Sequence, residues 1–316
     1  MYEENNKTVY FSEADGTMQP ALFQKADGDE PRPLVVALHT WSAEYDTQPW
    51  DKYHIRCRER NWHIIYPQFR GPNWNSDACG SDLVVSDIVC AVKYMKSVCN
   101  VDESKIFLVG GSGGGHASLL LAARAPEVWS AVSAWCPISD LKKWHSQCRE
   151  SGRNEYADHV EISCSGNPQI SEFAAEQARY RSPLTYLASA KDRVILDIGT
   201  GIHDGHTGSV PVSQAIEAFN AVADEADRIS VEDIDFMVKN EAVPEHLKFA
   251  GEDPAYGPYK VLLRRQSATA RLTLFEGGHD LLPGAAFGFF DRQSRGECAV
   301  WESGNIYDPE NDKLGR

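Results

Sequence analysis

The chain has 316 residues, 42% of them hydrophobic and 10% aromatic, which is enough apolar material to fill a sizeable core. Lysine and arginine number 31 against 46 aspartates and glutamates, a net charge of −15 that argues against nucleic acid or any other polyanionic partner. No run approaches the roughly 18 apolar residues of a membrane helix, and the start MYEENNKTVYFSEADG has neither the basic end nor the apolar segment of a secretory signal, so a cytoplasmic protein without a membrane partner is expected.

In chain order, residues 8–12 and 21–24 alternate like an N-terminal hairpin. Strand-like runs then recur at 33–39, 62–66, 105–109, 130–135, 193–198 and 271–275, with helical patterns between them. Such alternation predicts βαβ units and a mostly parallel sheet with helices on both faces, in one domain spanning 1–316. The clearest helix is 82–98, where Leu83, Ile88, Ala91, Val92, Met95 and Val98 keep a helical period. Between Trp135 and Arg193 lies a stretch far longer than an ordinary αβ loop, with helix-like segments near 141–148, 156–162 and 172–180. It reads as a helical lid inserted after the strand that ends near Trp135, within residues 139–190. The polar tail 302–316 reads as loosely held. Eight cysteines in so long a chain are no dense disulfide framework, and no C-x-x-C pair suggests zinc; Cys148 and Cys164 are either bridged or both buried thiols.

Chemistry enters at LVGGSGGGHASLL, residues 108–120, where five glycines surround Ser112 between a strand pattern and a helix pattern. A phosphate loop would need lysine where His116 stands, and a dinucleotide fingerprint would lack its last glycine. Gly110-Gly111-Ser112-Gly113-Gly114 fits the nucleophile elbow G-x-S-x-G without gaps. A serine nucleophile needs a base and an acid, and in open α/β sheets these follow the carboxyl ends of strands. His279, in FEGGHDLL after the strand 271–275, has that position. The acid should come between serine and histidine in sequence; Asp204 is the first acidic loop residue after VILDI, whereas Asp197 belongs to the strand. A rival reading takes His203, Asp204 and His206 as metal ligands, although neighbouring residues point apart in most backbone conformations. Neither a metal nor a cofactor is expected.

LVVALHT, GGSGGG, GIHD followed by VP, and GGH occur in the order seen in α/β-hydrolases and are most similar to the catalytic domain of the prolyl-oligopeptidase-like branch. The resemblance spans roughly residues 20–295. It departs in three respects: Thr40 stands where many members have glycine, DGHTGSVP is longer than the usual aspartate-to-VP spacing, and no propeller precedes the hydrolase pattern. It implies an α/β-hydrolase fold and a Ser112–His279–Asp204 triad working through an acyl-enzyme. The substrate expected is a small or carbohydrate-linked ester, with a serine peptidase and a non-catalytic binding protein as alternatives. The oxyanion is assigned to the backbone N–H of Gly113 and that of Trp41, with Thr40 the neighbouring candidate. Trp74 and Trp135 follow or end strands on the expected face and either stack on substrate or pack the loops; Arg70 either binds a carboxylate or braces its loop through backbone carbonyls.

Overall fold

The computed structural model describes residues 7–47, 51–303 and 307–309. Nine strands form one sheet in the order β1-β2-β4-β3-β5-β6-β7-β9-β8. β1 (Lys7–Phe11) and β2 (Met18–Gln24) are the antiparallel hairpin, and β2 continues antiparallel onto β4 (His63–Pro67). From β4 the sheet is parallel through β3 (Arg32–Leu38), β5 (Val101–Gly111), β6 (Ala131–Trp135), β7 (Ile195–Gly201) and β9 (Ala270–Phe275). β8 (Val261–Ser267) closes the far edge antiparallel to β9. Runs such as PLVVAL and HIIYP are buried throughout, as strands covered on both faces must be.

One face packs α2 (Asp82–Val98), α3 (Gly113–Arg124), α7 (Ser213–Val222) and α8 (Val231–Asn240); the other packs α1 (Asp51–Arg60) and α9 (Pro283–Phe290). This is the mostly parallel sheet with helices on both faces that the alternation of patterns predicts, and the α/β-hydrolase architecture that the resemblance implies. α2 begins where Ser81 caps it, its side chain accepting from Val84 N–H. The β8 strand escapes the sequence reading because VLLRRQS lacks clean alternation. Its arginines are held by neighbours instead: Arg264 pairs with Asp253 at 2.7 Å and Arg265 donates to the Asp227 carbonyl at 3.0 Å.

The long insert supplies α4 (Leu141–Glu150), α5 (Asn154–Ser163) and α6 (Glu172–Arg181). These bury a core of their own, with Leu141, Trp144, Cys148, Ala157, Val160, Cys164, Ala174 and Ala178 packed against Trp41, Cys79 and Val210. Trp41, Cys79 and Val210 all follow the carboxyl ends of strands, so the insert sits at that end of the sheet. Residues 183–190, at the back of the expected insert, turn away and pack on α3. Cys148 and Cys164 are free thiols in this core, where burial pushes them up to about 12 and about 11. Of the tail 302–316 only residues 302, 303 and 307–309 are described, and its expected looseness lies mostly outside the described residues.

Asp197 is a structural acid. It lies 1% exposed inside β7 and accepts from Arg271 Nε of β9 at 2.7 Å, with Arg271 itself 2% exposed. Removing one partner of a buried pair strands the other charge, at a cost of about 3–5 kcal/mol. Asp197→Ala is therefore expected to lower the unfolding free energy by about 3 kcal/mol in urea titration, while kcat of the protein that remains folded stays near wild type.

Candidate active site

Ser112 stands between β5 and α3 with φ 56° and ψ −117°, a conformation costing an L-residue on the order of 1–3 kcal/mol. Its amide donates to the Trp135 carbonyl at 2.8 Å, and its carbonyl accepts from His116 N–H at 2.8 Å. The glycines let backbone approach backbone. A Cβ on Gly113 would lie 2.5 Å from both N and Cα of Trp41, and one on Gly110 would lie 2.4 Å from the Gly114 carbonyl oxygen. The amides of Gly113 and Trp41 are thereby neighbours, and the Trp41 amide donates to no acceptor among the described residues. Asn73 holds the Trp41 loop from behind: its backbone N–H donates to the Trp41 carbonyl at 2.9 Å and its side-chain amide to the same oxygen at 3.3 Å.

Asp204 is 1% exposed in the loop after β7. One carboxylate oxygen accepts from the amides of Gly205 at 2.9 Å and Val210 at 3.1 Å. The other accepts from His279 Nδ1 at 2.7 Å. Carboxylate and imidazole thus meet in the geometry that fixes a ring tautomer. Gly208 makes room for the pair, because a Cβ there would lie 2.2 Å from Asp204 Oδ1 and 2.5 Å from His279 Cβ. The loop bearing His279 also reaches the elbow: Leu281 packs so close to Gly111 that a Cβ on that glycine would meet its side chain at 2.2 Å. Burial alone would lower the His279 pKa, but the Asp204 charge outweighs it and holds the imidazolium well above the ordinary histidine value.

The rival metal reading fails on direction. His203 turns to Glu241 at 2.8 Å and Glu276 at 2.6 Å, and its pKa is raised by Glu276 first and Glu241 second. His206 faces the Val238 carbonyl, 2.6 Å away, while Asp204 faces His279. His116 is buried against the Ile138 carbonyl and pushed down to about 4.

Two of the residues expected to bind substrate do other work. Trp135 is 1% exposed, beneath the sheet with Tyr256 and Phe275, and its ring fills the space over Gly199. Its Nε1 donates to Ser133 Oγ at 2.9 Å; ending a strand on the right edge says nothing about which face a side chain takes. Arg70 is bound to Asp87 through Nε and to Asp15 through Nη1 at 2.7 Å, with Ser12 Oγ at 3.1 Å, so its guanidinium has no capacity for a ligand carboxylate. Bracing is its role, through carboxylates of the hairpin and α2. Trp74 differs: it is 37% exposed, one residue from Asn73, and its ring stands 4.8 Å from that of His159 on α5. His159 in turn accepts from Trp41 Nε1 at 3.3 Å, which leaves its proton on Nε2. His159, Cys136 and Gly208 are site neighbours that the motifs do not reveal. Cys136 follows a strand end, the one signal that could have found it.

The sequence pattern of the prolyl oligopeptidase family matches residues 68–241, more than half of the chain. The chain belongs to the prolyl oligopeptidase family. It is 28% identical over 165 residues to "Probable acetylxylan esterase A" of Neosartorya fischeri, covering 45% of this chain and 43% of that one. With the acylamino-acid-releasing enzyme of Mus musculus it shares 22% over 227 residues, 66% of this chain and 29% of that one. Among solved structures, the Pyrococcus horikoshii acylaminoacyl peptidase superposes on 96% of this chain and 43% of its own, with TM-score 0.59 and 15% identity. Oligopeptidase B of Leishmania major superposes on 72% of this chain with TM-score 0.53 and 16% identity. The chain spans less than half the length of each of these relatives.

The geometry sets a pH dependence. As the proposed base, His279 must be neutral to accept a proton, and the Asp204 charge favours its protonated form. The acidic limb of kcat/KM should therefore lie above the ordinary histidine value of about 6.5. Asp204→Asn should cut kcat by up to about 10⁴-fold through the wrong tautomer and move the limb to lower pH. A pH–rate series on both proteins checks the two effects together. Arg70→Met should leave KM for every substrate unchanged and lower stability in denaturant titration, because its partners Asp87 and Asp15 lie outside the site.

Proposed function

We propose that the chain hydrolyses acyl esters of small or carbohydrate alcohols through an acyl-enzyme on Ser112. His279 takes the hydroxyl proton as Oγ attacks the acyl carbon, then returns it to the departing alkoxide; water repeats the cycle on the acyl-enzyme. Asp204 holds the ring with Nδ1–H toward itself and stabilises the imidazolium. The amides of Gly113 and Trp41 receive the oxyanion, each such donor being worth about 2.7–4 kcal/mol where one has been removed elsewhere. α4–α6 act as a cap that narrows the approach and excludes water.

The observation that carries this reading is the 2.7 Å bond from His279 Nδ1 to Asp204 on loops that reach the strained Ser112 elbow. Ester is favoured over peptide by what surrounds it. Arg70, the cation the sequence offered for a carboxylate, is occupied by Asp87 and Asp15, and the rim instead presents the rings of Trp74 and His159. Flat aromatic surface suits a sugar or an acyl ring better than a charged terminus. Partial similarity to an acetylxylan esterase agrees with this choice. The similarity to acylamino-acid-releasing enzymes favours a second reading, removal of an N-acyl amino acid from a peptide by the same residues.

A panel of p-nitrophenyl acetate, feruloyl esters, acetylated xylo-oligosaccharides and N-acetyl-aminoacyl anilides separates the two. Esters should exceed anilides in kcat/KM; the opposite order selects the peptidase. Ser112→Ala should lower kcat by up to about 10⁶-fold and abolish labelling by a fluorophosphonate without loss of fold.

A further inference from the structure

Beside the proposed triad lies a buried nucleophile that acyl transfer does not use. Cys136 follows β6 directly, with φ 44° and 1% exposure. Its amide is fixed by a 2.8 Å bond to the Gly199 carbonyl, and its Sγ donates to the Asp280 carbonyl at 3.4 Å. Thr200 Oγ1 bridges inward, 3.6 Å from Cys136 Sγ and 3.5 Å from Asp204 Oδ2. The sulfur of Cys136, one carboxylate oxygen of Asp204 and one ring nitrogen of His279 all lie within 4.8 Å of one another. Thiolate, imidazole and carboxylate together are a zinc-type donor set, and three protein ligands leave a fourth position for water. No other group of three histidine, cysteine or acidic side chains converges in this way among the described residues.

We propose that Cys136, Asp204 and His279 form a binding site for one zinc ion, and that the ion switches hydrolysis off. Zinc holds such ligands at about 2.0–2.3 Å, which places them roughly 3.5 Å apart. The Asp204–His279 pair, now 2.7 Å apart, must open, while the sulfur closes in; shifts of about an ångström suffice. On binding, the thiol releases its proton to solvent, the ring gives up its Nδ1 proton to solvent and, keeping one proton on Nε2, donates the Nδ1 lone pair, and the carboxylate donates an oxygen lone pair. Thiolate and carboxylate then balance the two positive charges, and nothing is oxidised or reduced. His279, with 24% of its side chain exposed, is the side from which the ion enters. Inhibition follows because Asp204 no longer orients the ring. The binding stands on geometry alone; the inhibition rests on the proposed roles of Asp204 and His279.

The test uses the full chain, stripped with EDTA and titrated with zinc in a non-coordinating buffer. Zinc bound is read by competition with a chromophoric indicator, and hydrolysis by p-nitrophenyl acetate. One ion per chain should bind, hydrolysis should fall in step, and EDTA should restore it. Cys136→Ser should keep its basal hydrolysis yet need at least about tenfold more zinc for both effects, since even partners outside the ligand shell are worth roughly 10–100-fold. Ser112→Ala should bind zinc as the wild type does. Should Cys136→Ser not fold, cobalt added to the wild-type chain must show thiolate-to-metal charge-transfer absorption that EDTA removes. Equal zinc affinity with and without Cys136, or no such cobalt band, overturns the site. Zinc bound through Cys136 with hydrolysis untouched leaves the site standing and overturns the triad assignment instead.

Discussion

The close approach of backbone to backbone around Ser112 is the constraint on which the site depends. Two adjacent strands, β5 and β6, are each followed by a non-glycine residue with positive φ, Ser112 at 56° and Cys136 at 44°. Neither conformation would persist alone, since each is disfavoured by on the order of 1–3 kcal/mol. They are held by the sheet itself: Ser112 N–H is bound to the Trp135 carbonyl and Cys136 N–H to the Gly199 carbonyl, so each strand locks the turn of its neighbour. Side chains would prise this arrangement open. The lack of a Cβ at Gly110 and Gly113 is what brings the first turn of α3 under β5 and sets the Gly113 amide beside that of Trp41.

From that edge the remaining groups are placed by loops sewn to one another rather than by long side chains reaching in. Ile202 N–H donates to the Phe275 carbonyl at 2.9 Å and His203 N–H to the Gly277 carbonyl at 3.0 Å, which binds the Asp204 loop to the His279 loop along their backbones. His203, one residue before Asp204, adds a charged clasp, its ring held between Glu241 and Glu276, the latter three residues before His279. The clasp is about one-third exposed and is worth little by itself at physiological ionic strength. Its effect is directional: it draws the neighbouring histidine away from Asp204 and leaves that carboxylate to the amides of Gly205 and Val210 and to His279.

The sheet, the hairpin, α2 and the helical insert were legible in the sequence because each has a period or a punctuating pattern that burial enforces. The positions of Ser112 and His279 just after strand ends were legible because glycines crowd both of those turns. The side chains of Trp135 and Arg70 were not legible. Strand ends locate a residue along the sheet, but the face it takes follows from register, and Trp135 alternates into the lower core. Arg70 depended on Asp15 and Asp87, which are 55 and 17 residues away in the chain and converge only after the hairpin folds onto α2. Cys136 stayed hidden because a lone cysteine after a strand has no motif; its meaning comes from what the next strand's loop and His279 bring alongside.

The insert completes the dependence by sharing its core with the site. Trp41 is 2% exposed, stacked edge-on to Trp144 of α4 at 4.6 Å and donating to His159 of α5, while its own amide adjoins Gly113. One residue therefore belongs both to the packing of the insert and to the pocket where an oxyanion would form. Ser163 of α5 also donates to the Asn73 carbonyl at 3.0 Å, and Asn73 is the residue that holds the Trp41 carbonyl. A segment coupled this way cannot swing as a detached flap without disturbing the backbone beside Ser112. Access to the serine is then set at the rim, where the partly exposed ring of Trp74 stands against that of His159, rather than by displacement of α4–α6 as a body.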